Sequence, residues 1–182
     1  QKILRPRMLS GHLQGQLLTF FSKMIEPKYI LEIGTYTGYS AICLARGLKS
    51  GGELHTIDVN EELEDFACSF MEKAGLKDCI EMHIGDALHV IPSLKKTWDL
   101  VFVDADKENY INYYNVVFNS VKKGGFIIFD NVLWSGKVTQ DVAPKDEETK
   151  TLIELAKLLQ QDERIENVLL PVRDGLFMVR KK

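Results

Sequence analysis

Two groups of acidic and amide side chains follow two strongly apolar segments of this 182-residue sequence. The segment VFVDADKENY places Asp104, Asp106 and Lys107 directly after one apolar run. The segment FDN places Asp130 and Asn131 directly after another. Carboxylate and amide oxygens form a hard ligand set, which suits Mg²⁺, Mn²⁺ or Ca²⁺ better than zinc. We therefore predict a divalent-cation site at Asp104, Asp130 and Asn131, although these acids could instead cap a helix or form an ordinary turn.

Lys107 lies within one helical turn of Asp104, and these two residues are the candidate catalytic groups. A lysine with its ordinary pKa of about 10.4 is a poor base, but a nearby dication and burial both lower that pKa. The same spacing also fits a solvated lysine paired with acids one turn away.

The turn LEIGTYTGYS contains two glycines, Gly34 and Gly38, which permit a sharp bend and close approach of the backbone to a ligand. Their spacing differs from the G-x-G-x-x-G of dinucleotide sites, and Glu32 precedes the first glycine. A carboxylate there would repel a pyrophosphate on the helix N-terminus. It suits a cationic ligand, such as the sulfonium and ammonium groups of S-adenosylmethionine.

Acidic residues also follow the next two strand-like segments. Asp58 in HTID is placed to bind a ribose diol, and Gly85, Asp86 and Ala87 form a turn where an adenine ring could lie. Asp58 or Asp86 taken singly could be a helix cap. The series of strand ends taken together favours an adenosyl cofactor.

The elements that must position these residues alternate between strand-like and helix-like runs. We predict strands at residues 29–33, 53–59, 80–84, 100–103 and 126–129, and a closing hairpin of residues 168–172 and 176–180 around Arg173-Asp174-Gly175. We predict helices at residues 17–25, 40–48, 63–71, 110–124 and 149–160, a short helix before Trp98, and a long polar loop at residues 132–145. The helix from Tyr110 is expected to end at Gly124-Gly125. This order predicts a doubly wound α/β domain whose ligands lie outside the carboxyl ends of the strands.

Composition limits the class of protein. The chain is 45% hydrophobic and 27% charged with a net charge of −3, which gives no bulk attraction to nucleic acid or an anionic membrane. The length of 182 residues favours a single domain. We find no membrane-length apolar run and no signal-peptide pattern, so we expect a cytoplasmic protein. The chain starts at Gln1, so we expect residues upstream of it.

The remaining reactive side chains give weaker signals. We predict that the three cysteines are buried, reduced thiols and do not form a disulfide framework; they are Cys43, Cys68 and Cys79. The four histidines show no metal-binding spacing and are predicted to be structural or exposed: His12, His55, His83 and His89. The tyrosines of residues 110–114 are predicted to be core.

These motifs together resemble the class I S-adenosylmethionine-dependent methyltransferases, and within them the metal-dependent O-methyltransferases of the catechol and caffeoyl-CoA type. The resemblance runs over essentially all of the chain through LEIGTYTGYS, HTID, GDA, VFVDADKENY, GGFIIFDN and RDGLFMVRKK. The combination of DADK with DN is its specific part. It implies a Rossmann-like, seven-stranded, mostly parallel sheet with an antiparallel last strand, and a homodimer.

The resemblance also assigns roles to individual residues. It implies that the cofactor is bound by Ser10, Glu32, Gly34, Thr35, Tyr36, Ser40, Asp58, Asp86, Ala87 and Asp106. It implies a metal held by Asp104, Asp130 and Asn131, with Lys107 as the general base. Ser135 stands where plant relatives present a substrate-contacting Asn, so that contact does not carry over. The family usually has additional helices before the position of Gln1.

We therefore expect metal-dependent methylation of one hydroxyl of a small vicinal diol, catechol-like or hydroxycinnamoyl-CoA-like. The alternative is O-methylation of a hydroxyuridine in tRNA, which predicts a basic surface near Arg5 and Arg7 and a steep dependence on salt. A nicotinamide oxidoreductase is disfavoured by Glu32 and the missing third glycine. A cofactor-binding module without catalysis is disfavoured by the intact set of acids and Lys107.

Overall fold

The computed structural model describes residues 11–182, so Ser10, Arg5 and Arg7 lie outside the described residues. The strands are β1 (Tyr29–Ile33), β2 (Glu53–Asp58), β3 (Ile80–Ile84), β4 (Trp98–Val103), β5 (Val121–Asp130), β6 (Ile165–Leu170) and β7 (Leu176–Lys181). The helices are α1 (Gly11–Ile25), α2 (Tyr39–Ala45), α3 (Glu64–Lys73), α4 (Ala87–Leu94), α5 (Tyr110–Phe118) and α6 (Glu147–Gln161).

The seven strands form one sheet in the order β3-β2-β1-β4-β5-β7-β6. Pairing is parallel from β3 to β5, and β7 runs antiparallel to both of its neighbours. One apolar cluster packs α1, α2 and α3 on one face, and a second packs α4, α5 and α6 on the other. The predicted doubly wound fold with an antiparallel last strand is confirmed. No helix within residues 11–182 is both long enough and apolar enough to span a membrane.

Several predicted boundaries were wrong. α5 ends at Phe118, and Val121 already belongs to β5, where it pairs with Trp98 next to a register shift. The apolar positions from Tyr110 to Val121 fit a helical period. Val121 is nevertheless buried by pairing with β4, so the helix does not have to extend to it. α2 also ends earlier than predicted, at Ala45. β6 starts and ends before the predicted segment, because its pairing with β7 runs from Ile165 to Leu170.

The sheet register places the predicted site residues side by side. Ile33 pairs with Val103, and Val103 pairs with Phe129, so the residues that follow these strands emerge at one edge. A Cβ at Gly34, where φ is +101°, would lie 2.1 Å from the backbone oxygen of Asp104. Only glycine allows the chain to turn here while β1 stays paired with β4.

The three cysteines are free, as predicted. Cys43 is buried, whereas Cys68 and Cys79 are partly exposed, so the prediction that all three are buried holds for one of them.

Candidate active site

A cleft of about 1270 Å³ opens at the carboxyl edge of the sheet. Eleven of the predicted site residues line it: Gly34, Thr35, Tyr36, Ser40, Asp58, Ala87, Asp104, Asp106, Lys107, Asp130 and Asn131. Glu32 lies behind the lining, fully buried. The cleft thus brings together the two groups of residues that the sequence assigns to a cofactor and to a metal.

Asp58, at the end of β2, fixes the turn that follows β1. Its Oδ2 accepts the backbone N–H groups of Thr35 at 3.1 Å and Tyr36 at 2.8 Å, and its Oδ1 accepts that of Asn60 at 2.9 Å. A carboxylate has about four acceptor positions, so Asp58 keeps capacity for one more donor from the cleft. This arrangement suits a ligand hydroxyl better than the helix-cap alternative, because the short 3-10 helix that follows β2 (Glu61–Leu63) is capped by the side chain of Asn60.

Glu32 ends a buried chain of hydroxyl groups. The hydroxyl of Thr56 donates to Glu32 Oε2 at 2.5 Å and must therefore accept from the hydroxyl of Thr35, also at 2.5 Å. Glu32 Oε1 is buried without a hydrogen-bond partner among the described residues. Burial raises the pKa of Glu32 to about 8, and the hydroxyls of Ser40 and Thr56 lower it only in part. Burial therefore favours the neutral form of the Glu32 carboxyl near pH 7.

The predicted metal ligands lie beyond the ends of β4 and β5. Asp130 is 2% exposed; its Oδ1 accepts the backbone N–H of Asn131 at 2.7 Å, and its Oδ2 accepts the side-chain N–H of Gln14. Burial, followed by the charge of Asp104, raises the pKa of Asp130 to about 7. Asn131 has φ +57°, a left-handed conformation that asparagine tolerates. Two interacting carboxylates and an amide in one cleft form a site that a cation would stabilise.

Lys107 is held by groups on both sides. Its side chain is 5% exposed, so the solvated alternative is wrong. Nζ donates to Asp104 Oδ1 at 3.3 Å, to the backbone oxygen of Ala105 at 2.9 Å and to the Tyr110 hydroxyl at 2.7 Å. The Tyr110 hydroxyl lies 2.9 Å from the backbone oxygen of Asp130 and can donate to it. Tyr110 is therefore core, as predicted, and also links the lysine to the end of β5.

Two acids have other partners. Asp106 accepts hydrogen bonds from the Tyr113 hydroxyl and from Asn109, both at 2.5 Å. Asp86 caps α4 by accepting the N–H of Leu88 at 2.9 Å, and its side chain does not line the cleft. The capping alternative thus describes Asp86 in this structure, and its contact with a cofactor stays a prediction.

Sequence reasoning missed several residues of the cleft. Gln14 is 1% exposed and comes from α1, and Trp134, Glu148 and Arg173 come from the loop after β5, from α6 and from the closing turn. A glutamine one turn before Leu18, on the apolar side of an amphipathic helix, is the signal that could have identified Gln14.

The prediction that the histidines are structural or exposed agrees with His55, which is 3% exposed, and with His89, which is 87% exposed, but local spacing did not show that His55 and His83 lie side by side. Their ring nitrogens Nδ1 and Nε2 lie 3.0 Å apart, because β2 and β3 pair in parallel and both side chains point to the same face. Neither residue lines the cleft.

Comparison with known proteins identifies the family of the chain. Residues 1–182 match the family model described as O-methyltransferase. Caffeoyl-CoA O-methyltransferase 5 of Nicotiana tabacum is 41% identical, covering 92% of this chain and 75% of that protein. The caffeoyl-CoA O-methyltransferase of Petroselinum crispum is 40% identical, covering 92% of this chain and 74% of that protein.

Solved structures show the same architecture. The O-methyltransferase from Bacillus cereus in complex with SAH has 32% identity and a TM-score of 0.92, covering 97% of this chain and 84% of that one. A Streptomyces achromogenes O-methyltransferase involved in tomaymycin synthesis, solved with SAM, has 29% identity and a TM-score of 0.92, covering 97% of this chain and 83% of that one. The chain therefore belongs to the O-methyltransferase family, and it is an O-methyltransferase.

Proposed function

We propose that the chain transfers the methyl group of S-adenosylmethionine to one hydroxyl of a small vicinal diol, catechol-like or hydroxycinnamoyl-CoA-like, with the help of a divalent cation. The observation that carries this proposal is the shared cleft: the turn fixed by Asp58 and the oxygen set of Asp104, Asp130 and Asn131 line the same space. The names of the plant relatives and the SAM and SAH bound to the bacterial structures support it.

The cofactor half of the cleft suits a cationic adenosyl donor. Asp58 retains acceptor capacity for a ribose hydroxyl beyond its three backbone donors. Glu32 has an unpartnered buried oxygen and a raised pKa. A positive ligand near this carboxyl would favour its ionised form, because an opposite charge lowers the pKa of an acid.

The other half suits a hard cation. Asp104, Asp130 and Asn131 supply two carboxylates and an amide, which fit Mg²⁺, Mn²⁺ or Ca²⁺. A bound dication would offset the repulsion between the two carboxylates. When bound, such an ion would hold the two neighbouring oxygens of the acceptor and favour ionisation of the one to be methylated.

The residues of the chain then position the proton and the acceptor. Lys107 Nζ, held by Asp104, Ala105 and Tyr110, is placed to steer the proton that leaves the acceptor hydroxyl; to take that proton it must first release one of the three that it donates here. The Trp134 ring, whose centroid is 5.6 Å from that Nζ, forms an apolar wall on which an aromatic acceptor can pack. Most of the rate enhancement comes from holding the acceptor oxygen, the methyl carbon and the sulfur in line.

The assembly and location of the protein belong to the same proposal. By resemblance to its family, we propose a cytoplasmic homodimer with no membrane partner, and tRNA stays the alternative acceptor that is not favoured. Analytical ultracentrifugation tests the dimer, and a sedimentation coefficient for a monomer at micromolar concentration would contradict it.

The function is tested by transfer of labelled methyl from S-adenosylmethionine to 3,4-dihydroxybenzoate, caffeoyl-CoA and undermodified tRNA, with Mg²⁺ or with EDTA. 4-Hydroxybenzoate is the matched control, since it lacks the second oxygen of a chelate. We expect labelling of a diol only with metal and none of the control. Equal labelling of the control, or activity that survives EDTA, would contradict the metal role. Labelling of tRNA alone would show that tRNA, and not a small diol, is the methyl acceptor.

A further inference from the structure

We propose that His55, His83 and Glu81 form a second metal site, which binds one Zn²⁺ on the outer part of the sheet, separate from the oxygen ligands of the cleft. Each residue offers one ligand atom, and these atoms all lie within 4.8 Å of one another. Two imidazoles and a carboxylate form a common zinc ligand set, whereas the cleft offers only oxygen ligands.

The distances are close to those of a zinc site. His55 Nδ1 lies 3.0 Å from His83 Nε2. The Glu81 carboxylate approaches the two rings through different oxygens: Oε2 lies 3.6 Å from His55 Nδ1, and Oε1 lies 3.8 Å from His83 Nε2. Ligand atoms about 2.0–2.1 Å from a tetrahedral zinc are roughly 3.3 Å from each other. A rotation of the Glu81 side chain, which is 65% exposed, would bring one of its oxygens to the third corner of the tetrahedron and leave the fourth for water.

The neighbours of His55 hold its ring in the orientation that a metal ligand needs. Its Nε2 lies 3.3 Å from Glu53 Oε2, so Nε2–H donates to that carboxylate and Nδ1 keeps a lone pair. A carboxylate on the far nitrogen is the usual second partner of a zinc-bound histidine. The ring is 3% exposed and packs edge-on against Trp98, with centroids 5.6 Å apart.

The charges around the cluster also favour a cation. Lys96 Nζ lies 2.5 Å from Glu53 Oε2 and offsets the charge of that acid, whereas the ion pairs of Glu81 within the described residues are with the two histidines. Without a metal, His83 Nε2–H donates to His55 Nδ1; with zinc, that proton moves to Nδ1 of the same His83 ring.

The site joins two strands. His55 lies on β2, while Glu81 and His83 lie on β3, which is the outermost strand at its end of the sheet. An ion shared by these residues would tie that edge strand to its only strand neighbour in the described sheet. Because zinc would bind the folded chain and not the unfolded one, it would stabilise the fold.

The test is titration of the metal-free full chain with Zn²⁺ in excess Mg²⁺, followed by calorimetry and thermal unfolding. Two variants remove a ligand, His83→Gln and Glu81→Gln; because the Glu81 side chain is 65% exposed, we expect the second variant to fold like the wild type. The matched control is His89→Gln, a histidine that is 87% exposed on α4.

We expect one zinc per chain in the wild type and in His89→Gln, with a Tm rise of about 5–10 °C at a free zinc concentration near 100 times Kd. We expect binding at least roughly tenfold weaker in both ligand variants. Co²⁺ in place of zinc should give the visible absorption of a four-coordinate site, and His83→Gln should lose it. Zinc affinity that is the same in all four proteins, or no zinc binding by the wild type, would overturn the proposal.

Discussion

Replacing Glu32 with glutamine should change how the stability of the ligand-free protein depends on pH. Glutamine has the shape of a protonated glutamic acid, and burial holds Glu32 in that neutral form by raising its pKa to about 8. In the unfolded chain the same carboxyl ionises near its ordinary value of about 4.5. Between these values the folded state binds the proton and the unfolded state does not, so the free energy of unfolding falls as pH rises.

The size of this effect follows from one proton bound over two pH units. At about 1.4 kcal/mol per unit, and with partial ionisation near the folded pKa of about 8, wild type should lose about 2 kcal/mol between pH 5.5 and pH 7.5 through Glu32 alone. Glu32→Gln lacks this loss. Asp130 also has a raised pKa, but it is present in both proteins and cancels in the difference.

Urea denaturation of both proteins, without ligand or metal, at these two pH values measures the difference. Glu154→Gln is the matched control, since Glu154 is exposed on α6. Its stability should follow that of the wild type at both pH values. If Glu32→Gln also follows the wild type, Glu32 is ionised in the fold and the reasoning is refuted.

In a separate calorimetric measurement, the Glu32→Gln variant should bind S-adenosylmethionine more weakly, because it cannot become an anion opposite the cationic donor.

Two further changes test the site, and a third tests a buried carboxylate at the start of β1. Asp130→Ala removes a proposed metal ligand, so methyl transfer should lose its response to Mg²⁺ while calorimetry shows S-adenosylmethionine binding largely unchanged; turnover still stimulated by Mg²⁺ would contradict this. Tyr110→Phe leaves Lys107 without one acceptor, so urea denaturation should show a loss of about 1–3 kcal/mol and kcat should fall; unchanged stability would argue against the contact. Asp99→Asn replaces a buried carboxylate that accepts the N–H of Tyr29 at 2.8 Å. Burial raises the pKa of Asp99, but Lys122 and the backbone N–H groups lower it by more, so the net shift is downward. The free energy of unfolding of the variant should be about 2 kcal/mol below that of the wild type at pH 7. This difference should shrink as pH falls below about 4, and a difference independent of pH would contradict the assignment.

The sequence predicted the fold and the cleft because both depend on strand ends. A parallel sheet brings its carboxyl ends together, so acids placed after apolar runs, such as Asp58, Asp104 and Asp130, converge whatever the details of packing. The helix from Tyr110 was predicted too long, because apolar residues at helical spacing continue into a strand and only the pairing of Val121 with Trp98 decides between the two.

Contacts between distant elements could not be predicted in this way. Gln14 reaches Asp130 from a helix that precedes the first strand, and nothing in local spacing connects the two residues. The pairing of His55 with His83 depends on the register of β2 against β3. Both strands carry the pattern Glu-x-His, at residues 53–55 and 81–83, and this repetition is a signal that sequence reasoning can use.

The position of β7 has a consequence for how the chain is made. β5 is complete at Asp130, yet its second neighbour, β7, begins only at Leu176 and is inserted between β5 and β6. During synthesis the open edge of β5, an apolar strand that leads into two proposed metal ligands, stays unpaired until the closing hairpin has left the ribosome. Nascent chains stalled before β7 should therefore be prone to aggregation and should depend on chaperones. The cleft is completed only when the final hairpin folds back.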